Sequence, residues 1–269
     1  MEQSSSMRSN AVRHLSIIGF IVIAIVYLAI IQGLGQLLTR DLDTKYAAPT
    51  SVEELWRSIS VGVGASLVFV YLIVAILHWW RPVFVDDRPV QRWVIVIPIV
   101  MVVAILAGTN YSGLADRGGS FTALLLLTAL MVGFAEEGMF RGIGVVAFRT
   151  NGFSEAKVAL WTSVLFGLAH ATNLISEGPR ALVQVLVTVA AGYFFYLVRR
   201  RSGGLLMPAI LHGLWDFGLI SGSVVPDKSY LGAALFILAD LALIIIVLVR
   251  RHRIAPEPSP SMAPDATRG

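Results

Sequence analysis

The stretch FTALLLLTALMVGFAEEGMFRGIGVVAF, residues 121–148, decides the fold. It is apolar from end to end except for Glu136, Glu137 and Arg141 near its middle. About 20 consecutive apolar residues at 1.5 Å rise suffice to cross a bilayer core. A helix this long and apolar belongs in a membrane, and its three charges are then buried in one.

Moving outward, seven further apolar stretches lie near residues 15–38, 58–80, 93–109, 156–174, 181–198, 204–221 and 230–249. Polar punctuation separates them, as at Arg81-Pro82, Asn151-Gly152, Gly178-Pro179 and Arg201-Ser202-Gly203-Gly204. Ser154 stands as an N-cap for the fifth span. The composition agrees: 56% of the 269 residues are hydrophobic and only 14% are charged. Soluble domains carry roughly 25% charged residues. Cysteine is absent, which excludes a disulfide scaffold, thiolate zinc ligation, a cysteine nucleophile and lipidation on cysteine.

Lysine and arginine set the expected orientation. With the N-terminus inside, Arg8, Arg13, Arg81, Arg88, Arg92, Arg149, Lys157, Arg199, Arg200, Arg201, Arg250, Arg251, Arg253 and Arg268 fall on the inner side, against Arg40, Lys45, Arg57, Arg117, Arg180 and Lys228 outside. Cytoplasmic segments of membrane proteins are enriched in these residues. The predicted fold is therefore all-α, a polytopic membrane bundle of about eight transmembrane helices with both termini cytoplasmic. The pI of about 9.6 records that topology and calls for no nucleic-acid partner. Residues 1–14 are read as a cytoplasmic N-terminal segment, 15–253 as the membrane domain with its core at 121–221, and 254–269 as a disordered, proline- and serine-rich cytoplasmic tail. The triple Arg199-Arg200-Arg201 reads as a topogenic anchor and Trp79-Trp80 as an aromatic belt. The cytoplasmic membrane of a bacterium is the expected location, with lipid as a partner.

Five charged residues fall inside spans: Glu136, Glu137, Arg141, Asp216 and Asp240. Each costs roughly 2.5–3.5 kcal/mol at mid-bilayer, so each needs a partner and points to function. Asp240 matches no motif and reads as a packing contact. His170 and His212 join the others. Counting at 1.5 Å per residue from Arg149, Lys157 and Arg201, respectively, puts Glu136 and His170 about 20 Å, and His212 about 17 Å, from the inner charge belt. Three antiparallel helices thus bring a carboxylate and two imidazoles to one level.

Spacing refines this. Glu137 and Arg141, at i and i+4 with the acid first, form a favourable helical ion pair and leave Glu136 on an adjacent face. His212 and Asp216 are also i and i+4, so Asp216 is expected to fix the imidazole tautomer. His170 and Asn173 share a further face. Gly138 and Gly142 form a small-xxx-small pair suited to close helix packing. Glu136 beside two imidazoles has the composition of a water-activating site for peptide hydrolysis. The same Glu136, His170 and His212 make an N/N/O donor set for a divalent metal such as zinc, and the residues leave both readings open.

These residues carry a resemblance. Glu136-Glu137-Gly138-Met139-Phe140-Arg141 is similar to the EExxxR signature of the CPBP (CAAX protease and bacteriocin-processing, or Abi) membrane proteins. Phe166-Gly167-Leu168-Ala169-His170 resembles that family's FxxxH motif, and His212-Gly213-Leu214-Trp215-Asp216 its third motif. The three stand in the family's order. The resemblance implies an eight-helix intramembrane endopeptidase acting on a membrane-associated substrate, either a prenylated CAAX-type protein or a leader peptide. It makes Glu136 and His170 the water-activating pair and His212 with Asp216 the oxyanion-stabilising pair, supported by Glu137 and Arg141. Asp216 departs from the asparagine of the prenyl proteases, and an ionised carboxylate cannot donate to an oxyanion. The rival readings are a non-catalytic member of the fold acting in bacteriocin self-immunity or as a scaffold, and a proton-coupled carrier. The absence of a repeat with broken helices weighs against the carrier.

Overall fold

The computed structural model of the chain describes residues 13–42, 49–174, 178–225 and 230–255. Most of the expected N-terminal segment 1–14 and tail 254–269 lies outside these residues, as do Lys45 and Lys228. The described residues are helical, and an isolated bridge between Val85 and Gly204 is the one β-type pairing among them.

The helices run α1 (Ile17–Leu38), α2 (Val52–Leu77), α3 (Val96–Gly108), α4 (Tyr111–Arg117), α5 (Gly119–Thr150), α6 (Glu155–Ala169), α7 (Arg180–Ser202), α8 (Leu206–Ser221) and α9 (Ala233–Arg250). Local chemistry sets their ends. Ser16 caps α1 by accepting from Gly19 N, and Ser51 caps α2 by accepting from Glu54 N at 3.1 Å. Asn110 accepts from Gly113 N at 2.9 Å and starts α4, which leaves α3 and α4 bent by 54°. Two helices contain a π-turn, Trp56–Ser60 in α2 and Gly138–Gly144 in α5.

Each of the eight expected spans falls on a helix, but their reach differs. Ile17–Leu38, Val52–Leu77, Gly119–Thr150 and Ala181–Ser202 are long and apolar enough to cross a membrane, and the bent pair Arg92–Gly108 and Tyr111–Arg117 makes a fifth if taken as one span. The expected fifth span, 156–174, is α-helical only to Ala169 and tightens into a 3-10 turn at His170–Asn173. The seventh begins at Leu206 because Gly203, at φ 77°, and Gly204 turn the chain against the 84–86 loop, where Leu205 N donates to Phe84 O and Asp86 N to Gly203 O. The outward faces of α1 and α9 expose Ile18, Val22, Ile25, Ile237, Leu241 and Ile245. Such surface belongs against lipid, and the chain is a multi-pass integral membrane protein.

Packing runs α5 on α8, α6 on α7, α1 on α2 and α3 on α9. The α5–α8 contact is the closest in kind. A Cβ at Gly133 would lie 2.2 Å from Ala209 O, and one at Gly213 would lie 2.7 Å from Ala129 O. Only glycine permits that approach of two backbones.

Two residues at the other end of the bundle pack more deeply than their span-end positions suggest. Arg199, read as part of a topogenic triple, is fully buried: it donates to Asp86 at 2.9 Å and to the carbonyl of Pro82, and shares Asp86 with Arg149 at 2.9 Å. Arg149 in turn reaches Glu155, which Arg88 and Arg200 also approach. Burial alone would raise the Asp86 pKa, but Arg149 and Arg199 outweigh it and hold the carboxyl below its ordinary value. Trp79 likewise leaves the expected belt. It is buried and donates from Nε1 to Arg13 O at 2.9 Å, while Trp80 stays half exposed and stacks on Tyr71. Trp79 joins the main apolar core, while Trp80 opens the short helix Trp80–Phe84 with its ring half outside.

Candidate active site

Glu136 and Glu137 close the α-helical part of α5, just before the π-turn at Gly138. π-turns often mark functional positions because they shift the side-chain register. Arg141, inside that turn, still reaches back to Glu137: its NH1 lies 2.9 Å from Oε1, with both side chains fully buried. Gly192 of α7 makes the room, since a Cβ there would come within 2.8 Å of Arg141 NH2. The guanidinium lies 4.1 Å from the Phe166 ring centre and 5.6 Å from that of Phe195, a cation–π setting for a buried charge.

Glu137 Oε1 also accepts from His212 Nδ1 at 3.0 Å. A carboxylate paired with Arg141 can only accept, so the His212 proton sits on Nδ1. Nε2 then faces Asp216 Oδ2 at 3.5 Å and Glu136 Oε2 at 3.7 Å. The tautomer is thus fixed by Glu137 across the helix interface, where the spacing on α8 had pointed to Asp216. The Gly133–Gly213 approach explains the difference, because it brings α5 within reach of the second ring nitrogen. Phe195 stacks on the His212 ring at 4.6 Å and 15°, and Phe166 meets its edge.

His170 begins the 3-10 turn after α6. Its Nδ1 lies 3.0 Å from Phe166 O, a carbonyl that can only accept, so Nδ1 donates and Nε2 keeps its lone pair. Phe166 also packs edge-on against this ring. One phenylalanine of the FxxxH motif therefore touches Arg141 and both histidines.

Glu136, His170 and Asp216 line one cavity of about 350 Å³, with Asn173 on the same wall and His212 buried behind Glu136 and Asp216. Asp240 does not line it. Gln32, Tyr27 and Gln184 do, and motif reading passed over all three. The available signal was polarity: Gln32 and Gln184 are amides set in otherwise apolar spans. Among the described residues, no group of three or more His, Asp or Glu side chains is arranged to hold a metal ion. His212 Nδ1 and His170 Nδ1 are committed to Glu137 and Phe166, so Nε2 is the ring atom each histidine has left to offer a ligand.

A membrane helix bundle that encloses three acids and two imidazoles held through Nδ1 defines a class of embedded acid–base sites. Residues 118–218, which carry all three motifs, match the family described as type II CAAX prenyl endopeptidase Rce1-like. That match agrees with the CPBP resemblance carried by the three motifs. The chain is also 37% identical over 102 residues to an Escherichia coli protein described as an uncharacterized 24.3 kDa protein. The aligned stretch is 36% of this chain and 43% of that relative, so the chain spans less than half of the relative's own length.

Proposed function

We propose that the protein is an intramembrane endopeptidase that hydrolyses a peptide bond of a membrane-associated substrate with water activated by Glu136 and His170. The observation that carries this reading is the cavity that Glu136, His170 and Asp216 share, with His212 locked beside them through Nδ1. The Glu136 carboxylate takes a proton from water as its oxygen bonds to the substrate carbonyl carbon. His212, carrying a second proton on Nε2 between Glu136 and Asp216, acts as an imidazolium that donates to the tetrahedral intermediate and steadies its charge. When the carbon–nitrogen bond breaks, the proton passes to the leaving amine, with His170 Nε2 as relay. Asp216 orients Nε2 and Glu137 orients Nδ1. A prenylated CAAX-type protein or a leader peptide fits the apolar lining of Leu28, Ile31, Ile59 and Val63.

The same reading has eight helices embedded in the cytoplasmic membrane of a bacterium, both termini inside, the protease-like core at 121–221, and short cytoplasmic segments at 1–14 and 254–269. The test is a comparison of membrane-protein fragments in cells carrying the wild-type protein or Glu136→Gln. Fragments present only with the wild type identify substrates. Identical fragment sets, with both proteins inserted at equal levels, refute the reading.

A further inference from the structure

Three amide side chains from separate parts of the fold run along one wall of the cavity. Gln32 of α1 donates from Nε2 to Thr172 Oγ1 at 3.1 Å and to Asn173 Oδ1 at 3.3 Å. Asn173 donates from Nδ2 to Gln184 Oε1 of α7 at 3.0 Å. All four side chains line the cavity that holds Glu136, His170 and Asp216. An amide offers a carbonyl oxygen and an NH2 group, and these three are joined head to tail. The direction of the chain leaves a carbonyl oxygen, Gln32 Oε1, at one end and a donor, Gln184 Nε2, at the other. Neither end atom has a hydrogen-bond partner among the described residues, and neither is sealed from accessible space.

Polar groups cost free energy in an apolar wall unless they are bonded. Holding α1 and α7 to the 170–173 turn uses the inner donors and acceptors alone. The two open ends are one acceptor and one donor, with no charge between them. An extended peptide backbone presents the complement, an N–H and a C=O, whatever its side chains are. The lining nearest Gln32 in sequence, Leu28 and Ile31, is apolar and suits uncharged substrate side chains.

We infer that the Gln32–Asn173–Gln184 chain is a subsite for the substrate backbone beside the scissile bond. Gln32 Oε1 accepts a substrate N–H and Gln184 Nε2 donates to a substrate C=O, so an extended, uncharged peptide segment is the ligand. This rests on the endopeptidase reading.

The probe is a panel of quenched-fluorescent apolar peptides in proteoliposomes, with wild type and Glu136→Gln run side by side. The peptide that the wild type cleaves fastest is then N-methylated at one backbone amide at a time, which removes a single donor. One position is expected to raise KM about tenfold, the loss of one hydrogen bond. Gln32→Met is expected to raise KM for the parent peptide by a similar factor and to show no further penalty with that N-methyl peptide. Gln184→Met, at the other end, is expected to raise KM while keeping the N-methyl penalty, and it carries the test if Gln32→Met does not accumulate. Unchanged KM in the accumulating variants, or an N-methyl penalty that adds in full to Gln32→Met, overturns the subsite while Glu136-dependent cleavage stands. Equal product release by wild type and Glu136→Gln overturns the endopeptidase reading and the subsite with it.

Discussion

His212 Nδ1 and Glu137 Oε1 are 3.0 Å apart across the α5–α8 interface, and the same oxygen accepts from Arg141 at 2.9 Å. One carboxylate oxygen therefore neutralises a buried arginine and sets the tautomer of a candidate catalytic histidine. A buried ion pair is no guarantee of stability, but removing one partner alone costs about 3–5 kcal/mol. Glu137→Gln is expected to lower unfolding stability in micelles by about that amount, and Glu137→Gln with Arg141→Met to recover most of it. A single variant as stable as the wild type would show that Glu137 does not carry the pair.

The α5–α8 approach is the next dependency. A methyl group at Gly213 has backbone on its far side, 2.7 Å away at Ala129 O, so neither helix can yield by a rotamer change. Gly213→Ala is expected to cost about 1–3 kcal/mol and to weaken cleavage by separating His212 from Glu137. Thermal unfolding and proteoliposome cleavage check both parts. Full activity in this variant would show that the contact is not needed to build the site.

Asp86 makes a separate prediction because it holds Arg149 and the fully buried Arg199 away from the cavity. Its folded-state pKa lies below the ordinary value, so its stabilisation is complete above roughly pH 4 and is lost as pH falls through the folded value. Asp86→Asn is expected to cost about 3–5 kcal/mol at neutral pH by leaving a buried arginine underpaired. The gap between wild type and variant should stay constant from neutral pH down to about 4 and then close. A gap that widens in acid would contradict the assignment.

Asp216 faces His212 Nε2 at 3.5 Å, beyond a firm hydrogen bond. An orienting role needs a polar group there but no charge. Asp216→Asn is expected to keep cleavage within about tenfold of wild type, and Asp216→Leu to lose about a hundredfold or more, the range seen when a group that orients catalysis is removed. Equal losses in kcat for both variants would assign the charge itself a role.

Much of the site was legible because charge is so costly in a membrane. Glu136, Glu137, Arg141, His170, His212 and Asp216 stood out against apolar runs, and helical spacing paired Glu137 with Arg141 as found. Spacing within one helix could not show that α5 and α8 meet at Gly133 and Gly213, so it named Asp216 as the tautomer partner of His212 in place of Glu137. It equally could not show Arg199 folding back onto Asp86 from 113 positions away, and read it only as part of a topogenic triple. The π-turn at Gly138–Gly144 and the 3-10 turn at His170 follow from tertiary packing around Arg141 and Phe166, and periodicity carries no trace of them. Gln32 and Gln184 were passed over because no motif contains them.

The central claim, that Glu136 and His170 activate water in this cavity, is tested most directly by single-turnover cleavage of a prenylated CAAX peptide and an apolar peptide panel in proteoliposomes. Wild type, Glu136→Gln and His170→Ala should insert and fold alike. The account predicts product from the wild type and a loss of about 10²–10⁴-fold in each variant, the usual worth of a positioned acid–base group. Cleavage at the wild-type rate by both variants would contradict it.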